Sequence, residues 1–174
     1  MRFRGECFRA HDPSWSWSPL SGEGAALRGR RFNWPGLQTL YLSLSFRTAF
    51  REVSAGFAHR LTPYVLCSYD VDCDHIVDLT TDQGRTSAKV KIDALACDWA
   101  NALLAGREPD SWTVVRRMLG EGHAGILVPS FANGATVDDR NLVLWNWGPE
   151  RPHKVTVYDP TGKLPKNRLS WSSS

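Results

Sequence analysis

Residues 39–53 read TLYLSLSFRTAFREV. The first seven alternate, with Leu40, Leu42 and Leu44 on one face and Tyr41 and Ser43 on the other, which predicts a half-buried strand. From Phe46 the period changes. Phe46, Ala49, Phe50, Val53 and Phe57 fall at i, i+3, i+4, i+7 and i+11, which predicts a helix with that stripe buried. Ser45 stands where a cap belongs and Gly56 lies near the expected end. A strand running directly into a helix marks a chain that mixes α and β structure.

Working outward, residues 3–8 predict a short strand. Residues 11–36 are rich in Pro, Gly, Ser and Trp, including PSWSWSP at 13–19, and read as a long ordered loop held by aromatics, with a helical turn near 24–27. Downstream, strands are expected over 63–71 and 74–79. A helix follows over 93–105, ending at Gly106, and another over 112–119, capped by Ser111 and stopped by Gly120. Strands over 125–128, 141–147 and 154–158 complete the set. Strands and helices intersperse without regular alternation, which points to an α+β (mixed α/β) domain rather than a doubly wound sheet. The 174 residues fit one domain spanning 1–174, large enough to bury a core without a metal or disulfide.

At 42% hydrophobic and 22% charged residues, the chain is globular rather than disordered. The net charge of +3 is dispersed. Its densest cluster, Arg28, Arg30 and Arg31, suits a small anion such as a phosphate better than the broad face a nucleic acid needs. No apolar run approaches the ~20 residues of a membrane span, and MRFRGECFRA at 1–10 has no apolar core after its basic residues. A cytoplasmic protein without membrane or direct nucleic-acid partners is expected. Cys7, Cys67, Cys73 and Cys97 form no CxxC pair, and Cys67, Cys73, Asp74, His75 and Cys97 match no zinc spacing, so buried free thiols and no metal are expected. Gly22 and Gly24 do not continue into a dinucleotide fingerprint, Gly162-Lys163 lacks the rest of a phosphate loop, and HExxH is absent. Ser130, in Val-Pro-Ser-Phe, is not a nucleophile elbow.

Four places remain: Arg9, the Gly29-Arg30-Arg31-Phe32-Asn33 segment, Tyr41 with Glu52, and Ser130. Each has an ordinary reading. Glu52 pairs with Arg47, Arg51 or Arg31 at a helix edge; Arg31 is a surface cation; Tyr41 is a half-buried strand tyrosine; Ser130 is a strand-end turn. Together they form a pattern. Phe8-Arg9-Ala10-His11, Gly29-Arg30-Arg31-Phe32-Asn33, Leu40-Tyr41-Leu42-Ser43, Ala49-Phe50-Arg51-Glu52 and Leu127-Val128-Pro129-Ser130 resemble, in order and spacing, the RES domain, named for an Arg, a Glu and a Ser. Asn141-Leu-Val-Leu-Trp and Val157-Tyr158-Asp159-Pro160 resemble its downstream half. The family often carries two glycines before its Arg where this chain has Gly29-Arg30. Arg31 aligns because Phe32-Asn33 follows, and Arg30 competes with it. Likewise, His11 competes with Arg9.

The resemblance implies a single domain like the ADP-ribosyltransferase fold, with small central sheets flanked by helices. It also implies a toxin of a bacterial toxin–antitoxin pair that consumes NAD and is held by an Xre-like helix-turn-helix antitoxin in a hetero-oligomeric complex. On that footing the catalytic residues are Glu52, Arg31 and Tyr41, and the NAD-binding residues are Arg9, Arg31, Tyr41 and Ser130. The residue types suit the chemistry. A fixed carboxylate stabilises an oxocarbenium-like ribose as nicotinamide leaves; arginine grips a diphosphate; an aromatic stacks on nicotinamide. The acceptor stays open between water or phosphate, which are favoured, and a protein side chain. A competing class is a non-enzymatic module that docks a protein or single-stranded nucleic acid on the Trp/Arg-rich loop.

Overall fold

The structure, a computed structural model, describes residues 1–54 and 62–169. Its strands are β1 (Phe3–His11), β2 (Leu40–Ser43), β3 (Val65–Cys73), β4 (Ile76–Asp78), β5 (Gly125–Pro129), β6 (Arg140–Leu144) and β7 (His153–Val157). Its α-helices are α1 (Glu23–Ala26), α2 (Phe46–Ser54), α3 (Asp82–Ser87), α4 (Ile92–Ala96), α5 (Trp99–Leu104) and α6 (Asp110–Gly120). All seven strands join one sheet in the order β4-β5-β6-β2-β1-β3-β7. The α+β class is as expected, but one continuous sheet stands where several small ones were anticipated. Every pairing is antiparallel except β4 with β5.

Alternation along the strands divides the core between the two faces of the sheet. Leu40, Leu42, Leu142 and Leu144 pack with Cys7, Tyr69 and Val155 on one face, covered by Leu20, Trp147 and Leu164. Ile126, Val128 and Val143 point the other way, against Leu95 of α4 and Val115 and Met118 of α6. Cys7, Cys67 and Cys73 are buried free thiols and Cys97 is half-buried. No helix among the described residues is long and apolar enough to cross a membrane.

The middle of the sheet is split. β1 and β2 share a single rung, Phe8 opposite Ser43. Beyond it Arg9, Ala10 and His11 pair only with β3, while Leu40, Tyr41 and Leu42 pair only with β6. The two strands diverge there and open the space in which the site lies.

Three local expectations are corrected. The stripe on α2 is buried only in part: Ala49 is buried, but Phe46 and Phe50 are 61% and 51% exposed, and Thr48, outside the stripe, is buried. Ala49 packs against the sheet, and Thr48 is drawn in because its hydroxyl donates to the buried carboxylate of Asp139 at 2.7 Å. Phe57 and Gly56 lie outside the described residues. Ser45 does cap α2, accepting from the Thr48 N–H at 3.0 Å. The helix expected over 93–105 is two helices broken at Cys97, which is extended (φ −51°, ψ 149°), after which Asp98 caps α5. Ser111 does not cap α6, which starts at Asp110 after Pro109; its hydroxyl donates to the Arg31 carbonyl instead. Both deviations serve the Arg31 segment.

Leu142 is fully buried in β6, an interior strand of the sheet. Leu142→Ala should lower unfolding free energy by about 2–5 kcal/mol in a denaturant titration; a loss well below that range would show that the sheet centre repacks.

Candidate functional site

The split in the sheet opens into a cleft of about 770 Å³. Its arginine wall includes Arg28, Arg30, Arg31 and Phe32, with Tyr41 beside them in the lining; Glu52 of α2 and Pro129 at the end of β5 line the same cleft. Each group is fixed by a different set of bonds.

The arginine wall is a tight hairpin. Arg30 and Asn33 bridge each other, with Arg30 N donating to Asn33 O at 2.8 Å and the return bond at 3.3 Å. Gly29 enters it at φ +73°, where an added Cβ would meet Pro35 and the Asn33 carbonyl at 3.0 and 3.1 Å. The hairpin's carbonyls are then taken in turn. Trp112 Nε1 donates to Arg30 O at 2.9 Å, Ser111 Oγ to Arg31 O, and Trp145 Nε1 to Phe32 O at 3.0 Å. The Tyr41 hydroxyl accepts from Phe32 N at 3.0 Å and donates to Asn33 Oδ1 at 2.9 Å. Burial is the main cause pushing that phenol's pKa well up, so it stays a neutral pin while its ring lines the cleft.

Arg31 lies at the tip. Its Nη1 donates to Leu95 O at 3.0 Å and Cys97 O at 2.6 Å, two carbonyls turned toward it by the break between α4 and α5. Its guanidinium sits 4.8 Å from the centroid of the Phe131 ring. Burial lowers its pKa, opposed first by Cys97 and then by Glu52. Nε and Nη2 have no hydrogen-bond partner among the described residues. Arg30 also lines the cleft but is exposed, and its side chain makes no hydrogen bond or ion pair among the described residues. Arg31 is the fixed cation of the two.

Glu52 lines the same cleft and is exposed. Its Oε1 accepts two hydrogen bonds, from Ser130 Oγ at 2.7 Å and from Asn141 Nδ2 at 2.5 Å; Oε2 has no partner among the described residues. Ser130 is 8% exposed and sits behind Glu52. Its own N–H donates to Asp139 O at 2.7 Å. Asn141 is turned by Ser43, whose hydroxyl donates to Asn141 Oδ1 at 2.8 Å.

Asp139 anchors the helix that bears Glu52. Its Oδ1 accepts from Thr48, and its Oδ2 accepts from Arg51 Nη1 at 2.9 Å and from the N–H and hydroxyl of Thr136 at 2.8 and 3.0 Å. The Thr136 N–H and the Thr48 hydroxyl are the largest causes holding its pKa at about 2. Asn141, Ser43 and Asp139 were not assigned to the site from sequence, and Ser111 was read only as a helix cap, because what marks them is register and contact rather than spacing.

Arg9 and His11 lie deeper, on β1. Arg9 Nη1 donates to Pro19 O at 3.0 Å and Ser21 O at 3.1 Å, fastening the aromatic loop to the sheet. Burial lowers its pKa. His11 is 6% exposed, and neither ring nitrogen has a hydrogen-bond partner among the described residues. Burial, reinforced by Arg9, pulls its pKa down to about 4.

The His11 shift has a pH signature. The folded chain keeps the imidazole neutral where the unfolded chain, with a midpoint near 6.5, takes up a proton. The stability tied to this group is therefore full above about pH 6.5 and declines as pH falls toward 4. His11→Leu should remove that part of the decline, so the stability difference between variant and wild type should move in the variant's favour from pH 7 to pH 4.5. A difference independent of pH over that range would refute the buried neutral imidazole.

Comparison with known proteins follows the same lines as the geometry. A family model described as the RES domain matches residues 6–167, as the motif segments anticipated. A search of curated proteins finds no match. Among solved structures, a chain of the M. tuberculosis MbcT–MbcA toxin–antitoxin complex is similar, with a TM-score of 0.66 and 25% identity over 91% of this chain and 84% of that one.

Proposed function

The chain belongs to the RES-domain family, and from that premise we propose that it is the toxin of a toxin–antitoxin pair and acts by cleaving NAD at the nicotinamide–ribose bond. The observation that carries the reading is the presence in the lining of one cleft of a carboxylate oxygen on Glu52 with no partner among the described residues and a guanidinium on Arg31 anchored by two carbonyls. In the proposed reaction the C1′–N bond breaks and its electron pair returns to the ring nitrogen, releasing neutral nicotinamide. Positive charge builds on the ribose, and Glu52 Oε2 stabilises it. The acceptor oxygen then bonds C1′ and loses its proton. With water the product is ADP-ribose, and with phosphate a phosphorylated ADP-ribose.

Arg31 is assigned to the diphosphate. Its two carbonyl contacts orient the fork, leaving Nε and Nη2 to the ligand. Tyr41 presents a ring face to the nicotinamide while its hydroxyl holds the hairpin. Ser130 is assigned to Glu52 rather than to NAD, since its hydroxyl is spent on Oε1. Arg9 supports the deep end of the cleft. An antitoxin, expected from the family resemblance to be Xre-like with a helix-turn-helix, is proposed to keep the chain inactive; the M. tuberculosis neighbour comes from a toxin–antitoxin complex.

The test is NAD incubated with purified, antitoxin-free chain, with and without inorganic phosphate, and the products resolved by mass. Nicotinamide release is expected, with the second product naming water or phosphate as acceptor. Glu52→Gln should slow it by about 10²-fold or more. Release at the wild-type rate by that variant would remove Glu52 from the chemistry, and no NAD loss by folded wild type would overturn the free-NAD reading. If ADP-ribose instead appears on added protein, the acceptor is a side chain.

Arg31→Ala should raise KM for NAD by about tenfold or more, and Arg31→Lys should recover little of it, because an ammonium cannot bond both carbonyls and still offer a planar fork. Unchanged KM in steady-state kinetics of both variants would argue against the diphosphate assignment.

A further inference from the structure

We propose that Asn141, oriented by Ser43, is a positioning residue for Glu52: with Ser130 it occupies Oε1, so that Oε2 alone meets the substrate. What Oε2 acts upon rests on the NAD reading above; the positioning itself does not.

The arrangement follows from register. Ser43 and Asn141 are directly opposite on β2 and β6, so both side chains rise from the same face of the sheet. Ser130 follows the end of β5, the strand on the other side of β6. Two donors from adjacent strand ends thus converge on one carboxylate oxygen delivered by a helix. The amide can sit only one way. Its Oδ1 takes the Ser43 proton at 2.8 Å, and the reverse orientation would set Oδ1 against Oε1 at 2.5 Å, two acceptors with no proton between them. Asn suits this place because it carries an acceptor for Ser43 and a donor for Glu52 in one planar group. Aspartate has no donor to offer and brings a second negative charge.

Asn141 is not needed to hold α2 in place. Thr48 and Arg51 of that helix are tied to Asp139, and Ser45 caps its start. The Asn141 amide acts one turn beyond that anchor, on the one side chain of α2 that reaches the cleft as a carboxylate. Its effect is to choose a rotamer. Preorganised in this way, the carboxylate does not reorient as charge develops on the ribose.

Asn141→Asp and Asn141→Ala test this in the full chain by two readouts. In the first, carboxylate carbons of labelled glutamate are followed by NMR through a pH titration, the Glu52 signal being assigned by its loss in Glu52→Gln. Asn141→Asp places two carboxylates in contact, and the Glu52 midpoint should rise by about one pH unit or more relative to wild type. The second is steady-state NAD cleavage. In Asn141→Ala, kcat should fall about 10- to 100-fold while KM stays within about twofold. In Asn141→Asp, the acid limb of the kcat profile should move to higher pH. A Glu52 titration that ignores Asn141→Asp overturns the contact, and a rise in KM at constant kcat would make Asn141 a binding residue instead. Should wild type release no nicotinamide, the NAD reading falls, and the NMR titration still decides the inference. The uncharged Asn141→Ala keeps the test open if the aspartate variant does not fold.

Discussion

A short hairpin whose one apolar anchor in the core is Phe32 must carry an arginine to a fixed point in space. Residues 30–33 solve this by giving every backbone carbonyl an outside or cross-hairpin donor: two indoles, a serine hydroxyl and the hairpin's own N–H. The Tyr41 phenol closes the set from below. Much of the surrounding structure is arranged to bring those donors in. Trp112 and Ser111 open α6, Trp145 follows β6, and the break between α4 and α5 turns two carbonyls toward the guanidinium. Eight tryptophans in such a chain suggest an aromatic docking face, yet Trp112, Trp145 and Trp147 spend their N–H groups on loop carbonyls. They are fasteners for irregular backbone, which otherwise has no ladder to satisfy it.

Legibility in the sequence follows how local each determinant is. The period change at Ser45–Phe46 depends on neighbours in sequence, so β2, α2 and the cap were readable from it. Its inward face was readable only in part: Ala49 of the expected stripe is buried, but Phe46 and Phe50 are exposed, and Thr48 is drawn in because Asp139, ninety-one residues away, supplies the partner for its polar side chain. α3 escaped notice because DQGRTS has no apolar period and buries nothing. Arg31, Tyr41, Glu52 and Ser130 were reached through the family's motif order, while Asn141 and Ser43 gain meaning only once β2 and β6 are in register. Ser111 shows the converse. It has every local mark of an N-cap, and a long-range acceptor, the Arg31 carbonyl, claims it instead.

Glu52 bears on the enzymatic reading through what it does not touch. Three arginines stand near enough in sequence or space to neutralise it, and an ion pair at a helix edge is the ordinary fate of such a residue. Among the described residues it has none. Arg51, its immediate neighbour, is drawn off to Asp139 at 2.9 Å, where a buried carboxylate with four donors outcompetes an exposed one. Arg31 is held back by the carbonyls of Leu95 and Cys97. Both charges therefore persist in the lining of one cleft without pairing, and Glu52 is oriented by neutral donors alone, a serine hydroxyl and an amide. Neutral donors fix the direction of a carboxylate and leave its net charge intact. A surface built for stability would have let the pair close. Keeping a guanidinium and a carboxylate apart costs the attraction between them, and in the proposed reaction that cost would be recovered by a ligand with negative charge at one end and developing positive charge at the other.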